Sequence, residues 1–251
     1  MRYGFPYKGS KNQIAEKIMN ILPEADTFVD LFCGGCAMTH VALLSGKYNN
    51  FIINDRDKRC PELFLNAVHG NIPDKDKWIS REEFERRKAD DGYVAFCWSF
   101  GNNGRNYLFG RQIEEYKHAL WRAIVNHDYE PLKAFGFDAS GMESETDIHK
   151  RSSWWRQYLK NCDGIVQSGS HFKNNLPQRL ENMESLERLQ SLERLESLQS
   201  LQSYSLDYRD VNIPDGGGWF TVTRHIETQM DMTANLVLGT MISMLRFTTG
   251  A

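Results

Sequence analysis

Three residues in the N-terminal part of the chain have the types and the spacing that hold a nucleoside. Gly34 and Gly35 let the backbone turn sharply and approach a ligand where a Cβ atom would collide. Asp55 follows about twenty residues later, at the offset where an acid commonly accepts hydrogen bonds from both ribose hydroxyls. This spacing predicts a site for a nucleoside-containing cofactor.

Two residues upstream of the glycines narrow the choice of cofactor. Lys11 can pair with a carboxylate, and the face of Tyr7 can lie near a cation. The turn lacks the G-x-G-x-x-G pattern that a dinucleotide needs for its pyrophosphate, because only Gly34 and Gly35 are present. S-adenosylmethionine has a ribose, a sulfonium and an amino-acid tail but no phosphate, so these residues favour it over a dinucleotide.

The elements that must position these residues are a strand, a helix and a second strand. Residues 28–32 form a short apolar β-forming run, residues 37–45 a helix whose N-terminus points at the ligand, and residues 51–53 the next strand. Asp30 fits either a contact with the methionine part of the cofactor or a structural role. The alternation predicts an α/β fold.

The chain contains three short motifs, which are Tyr7-x-Gly9-x-Lys11, Asp30-Leu31-Phe32-x-Gly34 and Asn54-Asp55. In this order they resemble the opening of DNA adenine N6-methyltransferases of the Dam type, especially the bacteriophage-like members. The resemblance continues more loosely through residues 97–102 to about residue 215. It implies a Rossmann-like S-adenosylmethionine-dependent methyltransferase sheet, in which the cofactor is bound by Tyr7, Lys11, Phe32, Gly34 and Asp55. Cys36 departs from the pattern, because the family usually has a second glycine there.

The resemblance and the changes in composition divide the chain into five parts. These are the S-adenosylmethionine-binding part at 1–75, an inserted helical DNA-recognition subdomain at 76–179, a leucine-repeat helical spacer at 180–203, a return strand at 204–216 and a tail at 217–251. The sheet is expected to be incomplete at its C-terminal end, because the tail does not continue the pattern of strands and helices.

The expected partner is double-stranded DNA, and two parts of the insertion have the composition of a DNA contact. Residues 101–107 read as an exposed polar loop, for which the alternative is an ordinary turn. Residues 147–179 hold six Lys or Arg against two Asp, interleaved with aromatic residues. Their alternative is a partly buried helix whose basic side faces water. The predicted contacts are Asn102, Arg105, Lys150, Arg151 and Arg156.

Leucine recurs every three residues between 186 and 201. On an α-helix this period drifts around the axis, so it disfavours a coiled coil and favours a helix that wraps across the domain or a spacer of variable length. Residues 205–208 then return to a strand pattern.

The family's Asp-Pro-Pro-Tyr motif is missing from the place where the resemblance predicts it, shortly after residue 208. In the family the acid and a backbone carbonyl accept hydrogen bonds from the adenine amino group, and the tyrosine stacks on a base flipped out of the duplex. The chain has seven prolines and no Pro-Pro pair. A shifted reading frame can be tested against the genetic code by joining the last base of each codon to the first two bases of the next. From Val222 to Ile226 the four codons formed in this way can encode Asp, Pro, Pro and Tyr, in that order. We therefore hypothesise a frameshift in the glycine codons 216–218, which would leave 217–251 out of frame and impair activity.

The composition fits a soluble, cytoplasmic protein with one large domain or a domain with an insertion. The chain has 251 residues, 41% of them hydrophobic, and its apolar runs are shorter than the roughly eighteen residues of a membrane span. The formal net charge is −3, so any DNA contact must use a local basic face. Five cysteines disfavour a secreted disulfide scaffold. No membrane contact and no metal site are predicted, and a monomer is expected.

Three alternatives to an active enzyme remain open. Cys33 and Cys36 form a C-x-x-C pair at a strand-to-helix turn, the position of a thioredoxin-like redox pair. The chain could also be a catalytically inactive remnant that binds S-adenosylmethionine or DNA. The third alternative is an interaction protein built on the leucine repeat.

Overall fold

The computed structural model describes residues 3–161, 176–195, 198, 200–213 and 218–221. Over these residues the chain is a mixed α/β protein, as predicted. The described helices are α1 (Ala15–Ile21), α2 (Ala37–Ser45), α3 (Arg59–Val68), α4 (Arg81–Arg87), α5 (Glu114–Asn126), α6 (Glu130–Ala134), α7 (Ser140–Glu143), α8 (Ile148–Asn161) and α9 (Leu176–Gln190). The described strands are β1 (Thr27–Asp30), β2 (Asn50–Asn54), β3 (Leu201–Tyr204) and β4 (Gly218–Thr221).

The four strands form one parallel sheet in the order β3–β2–β1–β4. A parallel sheet of this kind is covered on both faces, so the middle residues of its central strands β1 and β2 are apolar and buried. One face of β1 and β2 contributes Phe28 and Phe51 to the main hydrophobic core. The other face packs Val29 and Ile52 against Val211, which follows β3 along the chain.

The strand–helix–strand unit predicted between residues 28 and 53 is confirmed. The helix has the predicted bounds, Ala37–Ser45, while β1 ends two residues early and β2 is one residue longer at each end. Cys36 adopts a φ of 53°, the left-handed conformation that glycine adopts without strain. A cysteine in this conformation costs roughly 1–2 kcal/mol.

The described part of the region between β2 and α9 contains α3 to α8, which are joined by loops. A second hydrophobic cluster, separate from the core under the sheet, forms among α5 to α8. Trp78 packs against both clusters and stacks between Phe109, at 5.2 Å between ring centroids, and His118, at 4.7 Å. This tryptophan thus joins the helical region to the sheet domain.

The leucine repeat differs from the single helical spacer that the sequence suggested. The α-helix runs from Leu176 only to Gln190 and is followed by a 3₁₀-helix at Ser191–Arg194. The strand predicted at residues 205–208 lies four residues earlier, at Leu201–Tyr204, where it pairs with β2. The repeat therefore contributes to the core and to the sheet. Six leucines of the repeat are buried in or packed against the main core, namely Leu186, Leu189, Leu192, Leu195, Leu198 and Leu201.

β4 lies inside the tail in which the sequence predicted no strand. It pairs in parallel with β1, with Thr27 opposite Gly218 and Asp30 opposite Thr221. Trp219, Phe220 and Thr221 are all strong strand formers, which explains the local structure. The rest of the predicted out-of-frame tail, from residue 222 onward, lies outside the described residues.

Candidate functional site

A cavity of about 190 Å³ lies where the segments that follow β1 and β2 meet the N-terminal segment. Ala37 and Met38, in the first turn of α2, also line it. The structure brings together all the residues that the sequence assigned to a cofactor, and their binding role stays a prediction. These lining residues are Tyr7, Lys11, Phe32, Gly34 and Asp55.

Asp55 is held in place directly after β2 by two backbone donors. The Gly34 N–H donates to Oδ2 at 2.8 Å, and the Asp57 N–H donates to Oδ1 at 2.9 Å. Burial raises the pKa of the Asp55 carboxyl above its ordinary value, while these hydrogen bonds oppose the shift. Because a carboxylate offers about four acceptor positions, each oxygen retains capacity for a hydroxyl group.

The ring of Tyr7 covers the glycine turn. A Cβ atom on Gly34 would lie 3.0 Å from Tyr7 Cε1, and one on Gly35 would lie 2.7 Å from Tyr7 Cβ. The side chain of Tyr7 thus leaves no room for a Cβ atom at either glycine. This is a second reason for glycine at these positions, besides the predicted approach of a ligand. On its far side the Tyr7 ring meets Phe96 edge to face, at 5.1 Å between centroids.

Lys11 provides a cation at the wall of the cavity formed by the N-terminal segment. Its Nζ donates a hydrogen bond to the Gly9 carbonyl at 3.1 Å, which curls the side chain over its own loop. Partial burial lowers the pKa of the Lys11 ammonium, because the charged form loses hydration. An anionic group in the cavity would restore part of that lost solvation.

Cys33 and Cys36 do not have the properties of a redox pair. Both thiols are buried, and burial raises the pKa of each, to about 11 for Cys36. A reactive thiol requires the opposite shift, toward the thiolate. Burial and these pKa shifts disfavour the thioredoxin-like alternative and fit two small core residues.

Asp30 is fully buried beneath the start of α2 and accepts a hydrogen bond from the Thr39 hydroxyl at 2.9 Å. Of its two possible roles, this contact supports the structural one, because it joins the end of β1 to α2.

Tyr208 packs against Phe32, a residue that lines the cavity, and the sequence did not predict this contact. Its ring contacts Phe32 at 5.3 Å between centroids and is 48% exposed. The buried side chain of Asn54 fixes this segment, because its Nδ2 donates to the Leu206 carbonyl at 3.1 Å and its Oδ1 accepts from the Leu206 N–H at 2.9 Å. The sequence offered only a weak signal here, since Tyr208 lies far from Phe32 along the chain.

The comparison with protein families agrees with this geometry. The family described as D12 class N6 adenine-specific DNA methyltransferase matches residues 7–131. Over these residues the chain belongs to that family. The match begins at Tyr7 and includes every residue predicted at the cavity. No curated protein matches the chain.

By family, then, this chain is a DNA adenine methyltransferase, and DNA is its implied substrate. The loop predicted to contact DNA lies within the matched residues. Asn102 donates from Nδ2 to the Phe96 carbonyl at 2.8 Å, and its own carbonyl accepts from the Lys8 N–H at 3.1 Å. Asn102 therefore joins the loop to the N-terminal wall of the cavity. Arg105 is exposed, and so is Phe100, at 61% of its surface.

The basic residues of α8 in this methyltransferase separate into two groups. Lys150 and Arg156 are exposed. Arg151 is only 3% exposed and donates hydrogen bonds to the carbonyls of Ile124, Glu145 and Thr146. Arg151 is thus a structural residue, which corrects its predicted DNA contact.

The aromatic residues next to these charges pack against other side chains of the methyltransferase. Trp154 stacks on Tyr158 at 5.1 Å between centroids, and Trp155 is buried in the second cluster. The partly buried helix was the correct interpretation of these rings. Residues 162–175 of the same basic stretch lie outside the described residues.

Within the described residues, no group of three or more His, Cys, Asp or Glu side chains is placed to hold a metal ion.

None of the described helices combines the length and apolar character needed to cross a bilayer.

Proposed function

We propose that this chain is built to transfer a methyl group from S-adenosylmethionine to N6 of adenine in duplex DNA, and that its turnover is impaired because the adenine-binding motif is not encoded in this frame. The observation that carries the proposal is the cavity, in which three separate segments of a D12 class methyltransferase converge. The proposal includes a Rossmann-like sheet and an inserted helical subdomain that meets the DNA.

The residues of the cavity fit the parts of S-adenosylmethionine. The Asp55 oxygens have capacity left for the two ribose hydroxyls, the Lys11 ammonium suits the carboxylate of the amino-acid tail, and the face of Tyr7 suits the sulfonium. Phe32 provides an apolar wall for the adenine ring, supported by Tyr208. When bound, the cofactor supplies an electrophilic methyl group.

The adenine half of the site belongs after β4. Because β4 runs parallel to β1, its carboxyl end lies at the same edge of the sheet as the glycine turn and Asp55. The residues after Thr221 carry no Asp-Pro-Pro-Tyr in the present frame, although the shifted frame permits that motif from Val222 onward. This position supports the frameshift hypothesis, since the permitted motif and the required position coincide.

DNA would meet the loop predicted at residues 101–107, the neighbouring ring of Phe100 and the exposed side of α8. Arg105, Lys150 and Arg156 supply charge for phosphates, and Phe100 offers an exposed ring. Asn102 holds the loop against the cavity, so that a base leaving the duplex has a short path to the methyl donor.

Two measurements on the full chain test the proposal, with a frame-restored chain as the matched control. Calorimetry is expected to detect S-adenosylmethionine binding to both chains, while methyl transfer to duplex DNA is expected only from the frame-restored one. Normal turnover by the present chain would contradict the impairment. No binding of S-adenosylmethionine would contradict the assignment of the cavity.

The second candidate function is a remnant that binds without catalysing. The lack of a Pro-Pro pair anywhere in the chain favours it. Reading the nucleotide sequence across codons 210–225 separates the two. If the alternate frame lacks the Asp-Pro-Pro-Tyr codons, the chain is a binding remnant. If the alternate frame contains them, the chain is an enzyme whose coding sequence is interrupted.

A further inference from the structure

The turn after β2 contains an ion pair in which the two side chains meet through parallel hydrogen bonds. Arg59 donates from Nε to Asp57 Oδ1 at 2.8 Å and from Nη2 to Asp57 Oδ2 at 2.6 Å. Both side chains are mostly buried, with 20% and 30% of their surfaces exposed. A bidentate pair of this type fixes the direction of both groups.

Asp57 links this ion pair to Asp55, which lines the cavity. Its backbone N–H is the donor to Asp55 Oδ1, at 2.9 Å. The position of that N–H therefore determines how the Asp55 carboxylate is turned toward the space where the ribose would lie.

The other side of the Arg59 guanidinium contacts Phe96, which packs behind the cavity residue Tyr7. Its Cζ lies 5.2 Å from the centroid of the Phe96 ring, over its face, and Nη1 donates to the Lys88 carbonyl. Phe96 is 2% exposed and belongs to a π-helix, Tyr93–Cys97, a conformation frequently found at functional sites. Its ring in turn packs against the ring of Tyr7 at 5.1 Å.

We infer that Arg59 is a positioning residue for the cofactor cavity, which joins the ribose wall, through Asp57 and Asp55, to the sulfonium wall, through Phe96 and Tyr7. Arg59 does not line the cavity, so it acts through these neighbours. Lysine could not replace it, because an ammonium group cannot form two parallel bonds to Asp57 while covering the Phe96 ring. The inference rests on the proposed function, since it concerns the same cavity.

The test measures the affinity of the full chain for S-adenosylhomocysteine and for an analogue of it without the ribose hydroxyls. The variants are Arg59→Ala and Arg59→Lys. The control is Lys58→Ala, which removes an adjacent exposed cation whose partner, Asp90, lies 3.5 Å away. Thermal unfolding is recorded for every variant, so that loss of folding is separated from loss of geometry.

Arg59→Ala is expected to weaken S-adenosylhomocysteine binding by roughly tenfold or more, because small displacements of positioned groups are costly. The analogue without hydroxyls should lose less than about threefold, since it does not use Asp55. Arg59→Lys should keep the unfolding temperature near that of the unsubstituted chain and still bind weakly.

Three results would overturn the inference while leaving the proposed function intact. They are equal affinities for Arg59→Ala and Lys58→Ala, equal losses for the two ligands, and full affinity in Arg59→Lys. If the unsubstituted chain itself binds no S-adenosylhomocysteine or S-adenosylmethionine, the proposed function fails and this inference fails with it.

Discussion

The imidazole Nδ1 of His40 accepts a hydrogen bond from the backbone N–H of Gly4, at 2.9 Å, and this contact fixes the N-terminal segment on α2. Gly4 is held tightly there, because a Cβ atom on it would lie 1.9 Å from the Gly35 carbonyl oxygen. As an acceptor, Nδ1 must be unprotonated, so the neutral ring is the form that the fold requires.

Acid should therefore destabilise the protein through His40. Burial lowers the pKa of His40 to about 4 in the folded state, below its ordinary value of 6.5. The unfolded chain thus binds the extra proton first, and the free energy of unfolding falls as the pH drops from 6.5 toward 4. Between about pH 7.5 and about pH 5 the loss from this group is about 2 kcal/mol. His40→Asn, whose Oδ1 can still accept from Gly4, should lose less over the same range in urea titrations. An unchanged pH dependence in the variant would contradict the role given to His40.

Gly35→Ala should damage the cavity through steric pressure alone. The new Cβ would lie 2.7 Å from Tyr7 Cβ and 2.8 Å from the Phe5 carbonyl oxygen, which forces the N-terminal wall outward. Overpacking of this kind costs about 1–3 kcal/mol, measurable by denaturant unfolding, and should weaken S-adenosylmethionine binding in calorimetry. Gly110→Ala is the matched control, because nothing lies within 4 Å of its added carbon and its φ of −68° suits alanine. The prediction fails if both variants behave alike.

Tyr208→Ala should weaken S-adenosylmethionine binding several-fold, because it removes the ring that supports Phe32 at 5.3 Å. Tyr208→Phe keeps that ring contact and should bind as the unsubstituted chain does. Unfolding temperatures of the two variants should be similar, since the Tyr208 side chain is half exposed. A loss in Tyr208→Phe equal to that in Tyr208→Ala would show that the hydroxyl, and not the ring, is what matters.

Substitution of Arg151 should lower the stability of the protein, whereas substitution of Arg156 should weaken its binding to DNA. Arg151→Ala removes a nearly buried guanidinium that donates to the carbonyls of Ile124, Glu145 and Thr146, so it should lower stability by about 2–4 kcal/mol. Arg156→Ala should leave stability nearly unchanged and weaken DNA binding. The slope of log affinity against log salt should fall by about 1 for the loss of one phosphate contact. A salt slope that is unchanged in Arg156→Ala would remove α8 from the DNA surface.

The parts of the fold that could be predicted from sequence are those determined by local patterns. The apolar runs around Phe28 and Phe51 and the turn at Gly34 identify β1, α2 and β2, since strand and helix periodicity is a property of neighbouring residues. The offset of Asp55 likewise follows from the geometry of one strand–helix–strand unit.

The parts that could not be predicted depend on partners far away in the chain. β3 was placed four residues late, because its strand character comes from pairing with β2 and the leucine repeat conceals its beginning. Arg151 reads as a phosphate contact in the sequence, yet three carbonyls from two other segments surround it. Tyr208 reaches Phe32 at the edge of the cavity because Asn54 fixes Leu206 in place.

The three-residue spacing of the leucines has a consequence for how this gene can change length. A 3₁₀-helix has about three residues per turn, so removing or adding one Leu-x-x unit there shortens or lengthens the segment by a single turn and returns the next leucine to the same side. Leu192, Leu195 and Leu198, which follow one another through three-residue turns, would each take the place of a neighbour against the core. Replication slippage by nine nucleotides should therefore leave a foldable protein, whereas slippage by one or two codons should turn the leucines to solvent.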